Sequence, residues 1–203
     1  MSTKHLLDPE LRPILDLYPD RLVFTREMLP RHRAHRAKHI VMGDAKKARV
    51  RRETIMVPGF KGPDVKCLLY RPNQKASTYP AYLHIHGGGY ISGSAEASDV
   101  RNIEIARKLG TIVLSVDYRL SPECTIPGPL YDCYAGLAWL TKNSDDLKVD
   151  KQRIAIGGES AGGGLAAGLA ILARDLDEYQ ICHQHLTYPI LSYARQFHRI
   201  TWP

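Results

Sequence analysis

Apolar and polar positions follow strand-like and helix-like patterns in turn along most of the chain. From about residue 53 onward, short β-branched or apolar runs are separated by Gly- and Pro-containing breaks, which is typical of strands. These runs cover residues 54–57, 65–70, 81–85, 111–116, 153–156 and 186–190. Stretches with helical spacing separate the later runs, at residues 97–109, 129–140 and 161–174. Because a parallel sheet covered by helices has this alternation, we predict an α/β fold with a mostly parallel sheet flanked by helices.

The N-terminal part of the chain has a helical pattern instead. Residues 8–17 and 20–38 carry apolar positions at helical spacing, and each stretch begins with an aspartate, a favourable N-cap residue. We therefore predict an N-terminal helical segment over residues 1–50 and an α/β core over residues 51–203. The sequence contains neither a fixed-period repeat nor a low-complexity tract.

Composition and charge narrow the classes of partner. A chain of 203 residues with 44% hydrophobic content is long enough for a domain with its own core. The net charge of +7 is concentrated at residues 31–39 (RHRAHRAKH) and 46–52 (KKARVRR). Such clusters are usually solvated faces, and these lack interleaved aromatic residues and any nucleic-acid-binding motif. We therefore expect no nucleic-acid partner.

Cysteine spacing and hydropathy argue against several other sites. Cys67, Cys124, Cys133 and Cys182 are scattered without a C-x-x-C pair, so we expect no metal site and no redox pair. The N-terminus (MSTKHLLDPELRP) carries charges and prolines where a secretory signal needs an apolar run. No segment approaches the ~18 consecutive apolar residues of a membrane span. We expect no cofactor, no membrane span and a cytoplasmic location.

A glycine-rich segment, residues 157–168 (GGESAGGGLAAG), lies between a predicted strand and a predicted helix. A Walker-type phosphate loop would need Lys and then Ser or Thr after its last glycine, but Leu165 and Ala166 follow here. The glycines of a dinucleotide fingerprint would fall inside the predicted helix rather than in the turn before it. Nucleotide binding is therefore not indicated.

The same segment contains G-x-S-x-G at Gly158, Ser160 and Gly162, at the strand-to-helix turn that this motif requires. A nucleophile on so tight a turn needs neighbours without side chains two residues away. Ser160 is therefore predicted to be a nucleophile, and the helix beginning at Ala161 would direct its free amides towards negative charge that forms nearby. A glycine-rich turn with an incidental serine would explain the glycines but not the flanking strand and helix.

A second motif, His86-Gly87-Gly88-Gly89, follows the strand predicted to end at residue 85. Consecutive glycines are costly in conformational entropy and usually bring backbone amides close to a ligand. An H-G-G-G turn after a strand supplies the second half of an oxyanion hole in lipases and esterases. A histidine at a strand end more often bonds to its own loop than takes part in catalysis, and we predict that supporting role for His86.

Taken together, the motifs resemble those of one enzyme family. They are H-G-G-G at 86–89, V-D-Y-R-L-S-P-E at 116–123, D-x-x-R-I-A-I-G-G-E-S-A-G-G-G at 150–164 and T-Y-P-I at 187–190. In this combination and order they resemble the hormone-sensitive-lipase-like branch of the α/β-hydrolases, also called family IV esterases. The opening L-D-P-E-L-R-P resembles the start of the helical cap in that family, so the segment over residues 1–50 is expected to be a cap segment.

The resemblance implies an α/β-hydrolase fold and a serine carboxylesterase that acts on small uncharged acyl esters through an acyl-enzyme intermediate. Ser160 would be the nucleophile, and the amides of Gly88, Gly89 and Ala161 would form the oxyanion hole. His86, Gly87, Gly158 and Gly162 would support these motifs. Asp117, Arg119 and Glu123 would provide buried polar support.

The acid and the base that complete a serine triad are harder to find. In the α/β-hydrolases an Asp or Glu and then a His follow the serine. The candidates after Ser160 are Asp175, Asp177, Glu178, His183, His185 and His198. None has the family's context, because the D-P-L-x-D-E and H-G-F segments are absent, and His185 is expected at the strand end opposite Ser160.

We therefore expect that the chain is truncated or frameshifted, that the C-terminal strands and the triad Asp and His are missing, and that this chain is inactive or weakly active. The alternative hypothesis is a non-catalytic ligand-binding or interaction protein of the same fold.

Overall fold

The apolar runs of the sequence form the strands of one central sheet. A computed structural model describes residues 6–11, 13 and 25–191, and within these residues the sheet has six strands. They are β1 (Val50–Val57), β2 (Val65–Pro72), β3 (Tyr79–Ile85), β4 (Ile112–Val116), β5 (Val149–Glu159) and β6 (His183–Thr187). All five residues of β4 are buried, as expected for a strand covered on both faces.

The sheet is mixed, with strand order β1-β2-β4-β3-β5-β6. The four strands β4, β3, β5 and β6 are parallel, whereas β1 pairs antiparallel with β2, and β2 pairs antiparallel with β4. The short connection between β1 and β2 explains their direction, because a parallel pair would need a crossover of a dozen or more residues. The prediction of an α/β fold is confirmed, and the parallel part of the sheet carries the glycine-rich motifs.

Helices cover both faces of the sheet. They are α1 (Leu29–Lys38), α2 (Asp99–Leu109), α3 (Gly128–Lys142), α4 (Ser144–Leu147) and α5 (Ala161–Leu176). On one face, Leu137 of α3 and Leu169 of α5 belong to the same buried cluster as Leu83 of β3. On the other face, Ile103 of α2 packs in a cluster with Tyr82 of β3. Each fully buried aliphatic side chain stabilises the fold by about 1.5–3 kcal/mol.

The N-terminal helices differ from the prediction. Within the described part of residues 8–17 there is a short 3₁₀ turn, Pro9–Leu11, and the remainder of that stretch lies outside the described residues. Of the stretch predicted over 20–38, residues 20–24 lie outside the described residues, and the rest contains a 3₁₀ turn, Arg26–Met28, followed by α1. Pro30 explains this start, because proline is tolerated in the first turn of a helix but not in its interior. The division at residue 50 stays a prediction.

The last strand also differs. The sequence predicted a strand at residues 186–190, whereas β6 begins at His183 and ends at Thr187. Pro189 has no amide to donate to a strand ladder, so the pairing stops before it. Because β6 begins at His183, His185 lies in the middle of that strand, where it pairs with Gly157 of β5.

Candidate active site

Ser160 lies on a strained turn between β5 and α5. Its backbone has φ 55° and ψ −116°, a conformation that costs a residue with a side chain about 1–3 kcal/mol. Two hydrogen bonds to the end of β6 and the residues after it hold it there: the Ser160 amide donates to the Thr187 carbonyl, and the Ser160 carbonyl accepts from the Ile190 amide, both at 3.0 Å. The turn therefore presents a partly exposed serine at the carboxyl edge of the parallel strands.

The glycines on either side of Ser160 allow two backbones to approach each other. A Cβ on Gly158 would collide with the carbonyl oxygen of Ile85, and one on Gly162 would collide with the carbonyl oxygens of both Ile85 and His86. The Ser160 turn is thus packed directly against the end of β3. This close packing is the physical reason for the G-x-S-x-G pattern in this chain, and it brings the two glycine-rich motifs together.

The H-G-G-G loop lines the same cavity as Ser160. The cavity has a volume of about 500 Å³, and its walls include His86, Gly87, Gly88, Gly89 and Ser160. Gly88 and Gly89 have φ values of 136° and 65°, which favour glycine. In the part of the chain that the structure describes, the amides of Gly88 and Gly89 donate to no protein acceptor.

Ala161 supplies the first residue of α5, directly after Ser160. The first amides of a helix have no partner within the helix, and they mark the positive end of its dipole. Ala161 is itself fully buried. The predicted amide donors therefore come from the H-G-G-G loop and from the first residue of α5, which directly follows Ser160.

His86 contacts its own loop, as expected for a supporting residue. Its Nδ1 lies 2.9 Å from the Gly87 carbonyl oxygen, and its ring stacks on Tyr118 with centroids 4.2 Å apart. Burial lowers the pKa of His86 to about 4, although the Gly87 carbonyl and nearby carboxylates favour the protonated form. The imidazole is therefore neutral at pH 7.

Glu159, immediately before Ser160, makes a network that the sequence analysis missed. Its carboxylate accepts hydrogen bonds from the Gly87 amide at 3.1 Å and from Ser98 Oγ and Arg101 at 3.3 Å each, and it lies 3.3 Å from His84 Nε2. Burial opposes ionisation of Glu159, but the interactions with His84, Gly87 and Arg101 outweigh it and lower the pKa of Glu159 to about 2. A signal existed in the sequence, since an acidic residue directly before the predicted nucleophile, in a motif expected to be packed closely, needs partners for its charge.

Comparison with known proteins agrees with this geometry. A family model described as an alpha/beta hydrolase fold matches residues 82–201, a range that contains both glycine-rich motifs.

The chain belongs to the α/β-hydrolase family.

Its relatives are esterases, so the hormone-sensitive-lipase-like branch suggested by the motifs is confirmed. The chain is 33% identical over 184 residues to carboxylesterase NlhH of Mycobacterium tuberculosis. The matched region covers 90% of this chain and 57% of that protein. It is 32% identical over 171 residues to an arylesterase of Saccharolobus solfataricus, covering 83% of this chain and 55% of that protein.

Among solved structures, a bacterial heroin esterase is similar with a TM-score of 0.78 and 39% identity; the match covers 93% of this chain and 59% of that one. The α/β-hydrolase chain thus spans a little over half the length of these relatives.

The acid and base candidates of this α/β-hydrolase lie away from Ser160. Asp175 is paired with Arg174 at 2.7 Å, and Glu178 accepts a hydrogen bond from the Tyr134 hydroxyl. His183 and His185 are exposed on β6. Within the described ranges, none of these residues nor Asp177 lines the Ser160 cavity, and His198 lies outside those ranges.

The cavity contains a histidine that the sequence analysis did not select. His32 and Arg36 of α1, which are one helical turn apart, both line the Ser160 cavity. Their i, i+4 spacing was the available signal, since residues four apart lie on one face of a helix.

The polar residues after β4 are only partly as predicted. Asp117 accepts a hydrogen bond from the Ala95 amide at 2.9 Å, and Arg119 pairs with Asp132 at 2.7 Å. The buried acid of this pair is Asp132, which is 1% exposed. Glu123 was predicted to be buried, but its side chain is 62% exposed and pairs with Arg33.

Two further findings concern the described residues only. None of their helices combines the length and the apolar character needed to cross a membrane. Likewise, in residues 6–11, 13 and 25–191 no three His, Cys, Asp or Glu side chains are grouped as a metal site would require.

Proposed function

We propose that this chain carries the nucleophile and the oxyanion hole of a serine carboxylesterase that acts on carboxylic esters. The observation that carries the proposal is the strained turn of Ser160, which lines one cavity together with Gly88 and Gly89, whose amides have no acceptor among the described residues. The printed names of the relatives, an arylesterase and a carboxylesterase, support an ester as the substrate class.

In the proposed reaction, Ser160 Oγ attacks the ester carbonyl carbon while a general base takes the hydroxyl proton. The carbonyl oxygen becomes an oxyanion that the amides of Gly88, Gly89 and Ala161 stabilise. The C–O bond to the alcohol then breaks, the alcohol leaves with a proton, and the acyl group stays on Ser160. Water attacks the acyl-enzyme in the same way and releases the carboxylic acid.

One observation favours a second candidate, a ligand-binding protein that keeps the cavity without turnover. Among the residues described, the Ser160 hydroxyl makes no hydrogen bond, so no described base is in place to activate it. A serine hydroxyl is a weak nucleophile without such a base. The two candidates therefore differ in whether Ser160 is acylated.

Covalent labelling of the 203-residue chain with a fluorophosphonate probe tests the proposal. We expect one adduct on Ser160, located by peptide mass spectrometry, that disappears in Ser160→Ala and persists in Ser94→Ala, whose serine lines the neighbouring cavity. A folded chain that takes up no label, with cooperative unfolding shown by circular dichroism, would support the ligand-binding candidate instead.

Location and partners complete the proposal. Cys67, Cys124, Cys133 and Cys182 all carry free thiols, which supports a reducing, cytoplasmic location. A small-molecule ester is the proposed partner, without a nucleic acid.

A further inference from the structure

The basic segment at residues 31–39 is not used by the proposed chemistry, yet the fold places it beside the cavity. Most of it lies in α1, whose residues Leu29, Arg33 and Arg36 follow the i, i+4, i+7 spacing of one helical face. Leu29 is buried, so this face is directed to the rest of the protein. Arg33 on this face is half-buried, whereas Arg36, one turn later, is exposed to solvent.

Arg33 holds α1 against the loops around the cavity. It donates to the Ile91 carbonyl at 2.7 Å and to the Ser121 carbonyl at 2.8 Å, and it forms a bidentate pair with Glu123. The charge of Arg33 is thereby compensated. Its contacts set the position of the next turn of α1, where Arg36 lies.

Arg36 lines two adjoining cavities. One is the cavity of about 500 Å³ that contains Ser160, and the other has about 860 Å³. In the part of the chain that the structure describes, the side chain of Arg36 has neither a hydrogen bond nor an ion pair. Its guanidinium therefore has no protein partner among those residues.

Among the described residues, the surroundings of Arg36 carry little negative charge. Of the described residues that line these cavities, Glu159 is the one acid, and its carboxylate is already bound by Gly87, Ser98, Arg101 and His84. The larger cavity is lined by the apolar Ile40, Val41 and Leu120 and also by basic side chains, Arg36 among them. Apolar walls beside a guanidinium fit a short aliphatic chain with an anionic end.

We propose that the site takes esters whose acyl chain ends in an ionised carboxylate, and that Arg36 binds this carboxylate. The ester part of this inference rests on the proposed function, and the carboxylate part rests on Arg36. A planar guanidinium can donate two parallel hydrogen bonds to a carboxylate, whereas the ammonium of a lysine acts as a point charge. The inference replaces the uncharged acyl ester expected from the motifs.

Calorimetric titration of the 203-residue chain tests the binding step without turnover. The ligands are monomethyl glutarate, which carries a carboxylate, and methyl pentanoate, which has a methyl group in the same place. We expect monomethyl glutarate to bind at least about tenfold more tightly than methyl pentanoate, and we expect Arg36→Gln to make the two affinities equal. A tenfold ratio corresponds to the loss of one charge-assisted hydrogen bond. Arg31→Gln is the matched control, because Arg31 is an exposed cation of α1 that lines neither cavity.

The outcomes separate the two proposals. Equal affinities for the two ligands, or an equal loss in Arg31→Gln and Arg36→Gln, would overturn the inference, the latter in favour of unspecific attraction by a basic surface. Acylation of Ser160 by p-nitrophenyl hydrogen glutarate and p-nitrophenyl pentanoate is measured in parallel by mass spectrometry. If neither ester acylates Ser160 while anion binding still depends on Arg36, the esterase proposal fails and the carboxylate site stands.

Discussion

The Glu159 carboxylate accepts a hydrogen bond from the Gly87 amide at 3.1 Å, and so connects the residue before Ser160 to the H-G-G-G loop. The same carboxylate pairs with Arg101, which lies in α2. One side chain thereby joins the turn after β5, the loop after β3 and a helix. The relative position of Ser160 and the Gly88 and Gly89 amides depends on this connection.

Replacing the carboxylate should therefore disturb the site as a whole. We expect Glu159→Gln to lower the free energy of unfolding by about 1–3 kcal/mol, because it removes the charge from a network whose acid is 17% exposed. Urea unfolding followed by circular dichroism measures the change. Glu104→Gln is the control: Glu104 forms exposed pairs with Arg107 and Lys108, and its loss should cost under about 0.5 kcal/mol. Equal effects of the two variants would contradict the connecting role of Glu159.

Two glycines of α5 should respond in opposite ways to alanine. A Cβ on Gly162 would overlap carbonyl oxygens of Ile85 and His86, so we expect Gly162→Ala to destabilise the chain by about 3 kcal/mol or more. A Cβ on Gly168 would meet Leu130 at an ordinary 3.5 Å, so Gly168→Ala should be neutral or stabilising by up to about 1 kcal/mol. Thermal unfolding of both variants measures the contrast, and a stable Gly162→Ala would refute the close packing.

The backbone strain at Ser160 should appear as a difference in stability between Ser160→Gly and Ser160→Ala. Glycine adopts positive φ readily, whereas alanine keeps the Cβ that makes the turn costly. We expect Ser160→Gly to be about 1 kcal/mol more stable than Ser160→Ala in denaturant titration. Because the hydroxyl has no hydrogen bond among the described residues, neither variant should lose side-chain bonding. A less stable glycine variant would show that the turn is unstrained.

Burial of His86 predicts a pH dependence of stability. Its folded-state pKa is about 4, below the ordinary value of 6.5, so between these values the unfolded chain binds more protons. Stability from His86 is therefore complete above pH 6.5 and falls as the pH is lowered towards 4, by about 1 kcal/mol for each pH unit. His86→Asn should flatten this slope in urea titrations at several pH values. His183→Asn, on exposed β6, should leave the slope as it is, and an unchanged slope in His86→Asn would contradict the assignment.

Most of the sheet and both glycine-rich turns could be predicted from the sequence, because strand periodicity, breaks and motif context are local properties. The parallel strands β3 and β5 are neighbours, so the turns that follow them had to meet at one edge. The predicted start of α1 and the predicted end of β6 were wrong, because Pro30 fits only the first turn of a helix and Pro189 has no amide to donate to the strand ladder.

The side-chain contacts between residues that are distant in sequence could not be predicted, because they depend on how the elements pack. Glu159 is held by residues from β3, the adjoining loop and α2, which no spacing along the chain brings together. The exposure of Glu123 has a similar origin. Its motif suggested burial, but the buried acid beside Arg119 is contributed by Asp132 of α3. In the sequence, Arg36 is one of several basic residues at 31–39. Only the packing of α1 in the fold brings it to the Ser160 cavity.

Besides accepting the helical hydrogen bond from the Gly164 amide, Ser160 forms backbone hydrogen bonds to Thr187 and Ile190, and these two have a dynamic consequence. Proteins open locally in cooperative units, and groups bonded to one another exchange their amide hydrogens together. The amides of Ser160 and Ile190 should therefore share one opening free energy. A local opening that separates the end of β6 from β5 would also break the hydrogen bonds that hold the Ser160 turn. The stability of this sheet edge therefore limits how long Ser160 keeps its orientation.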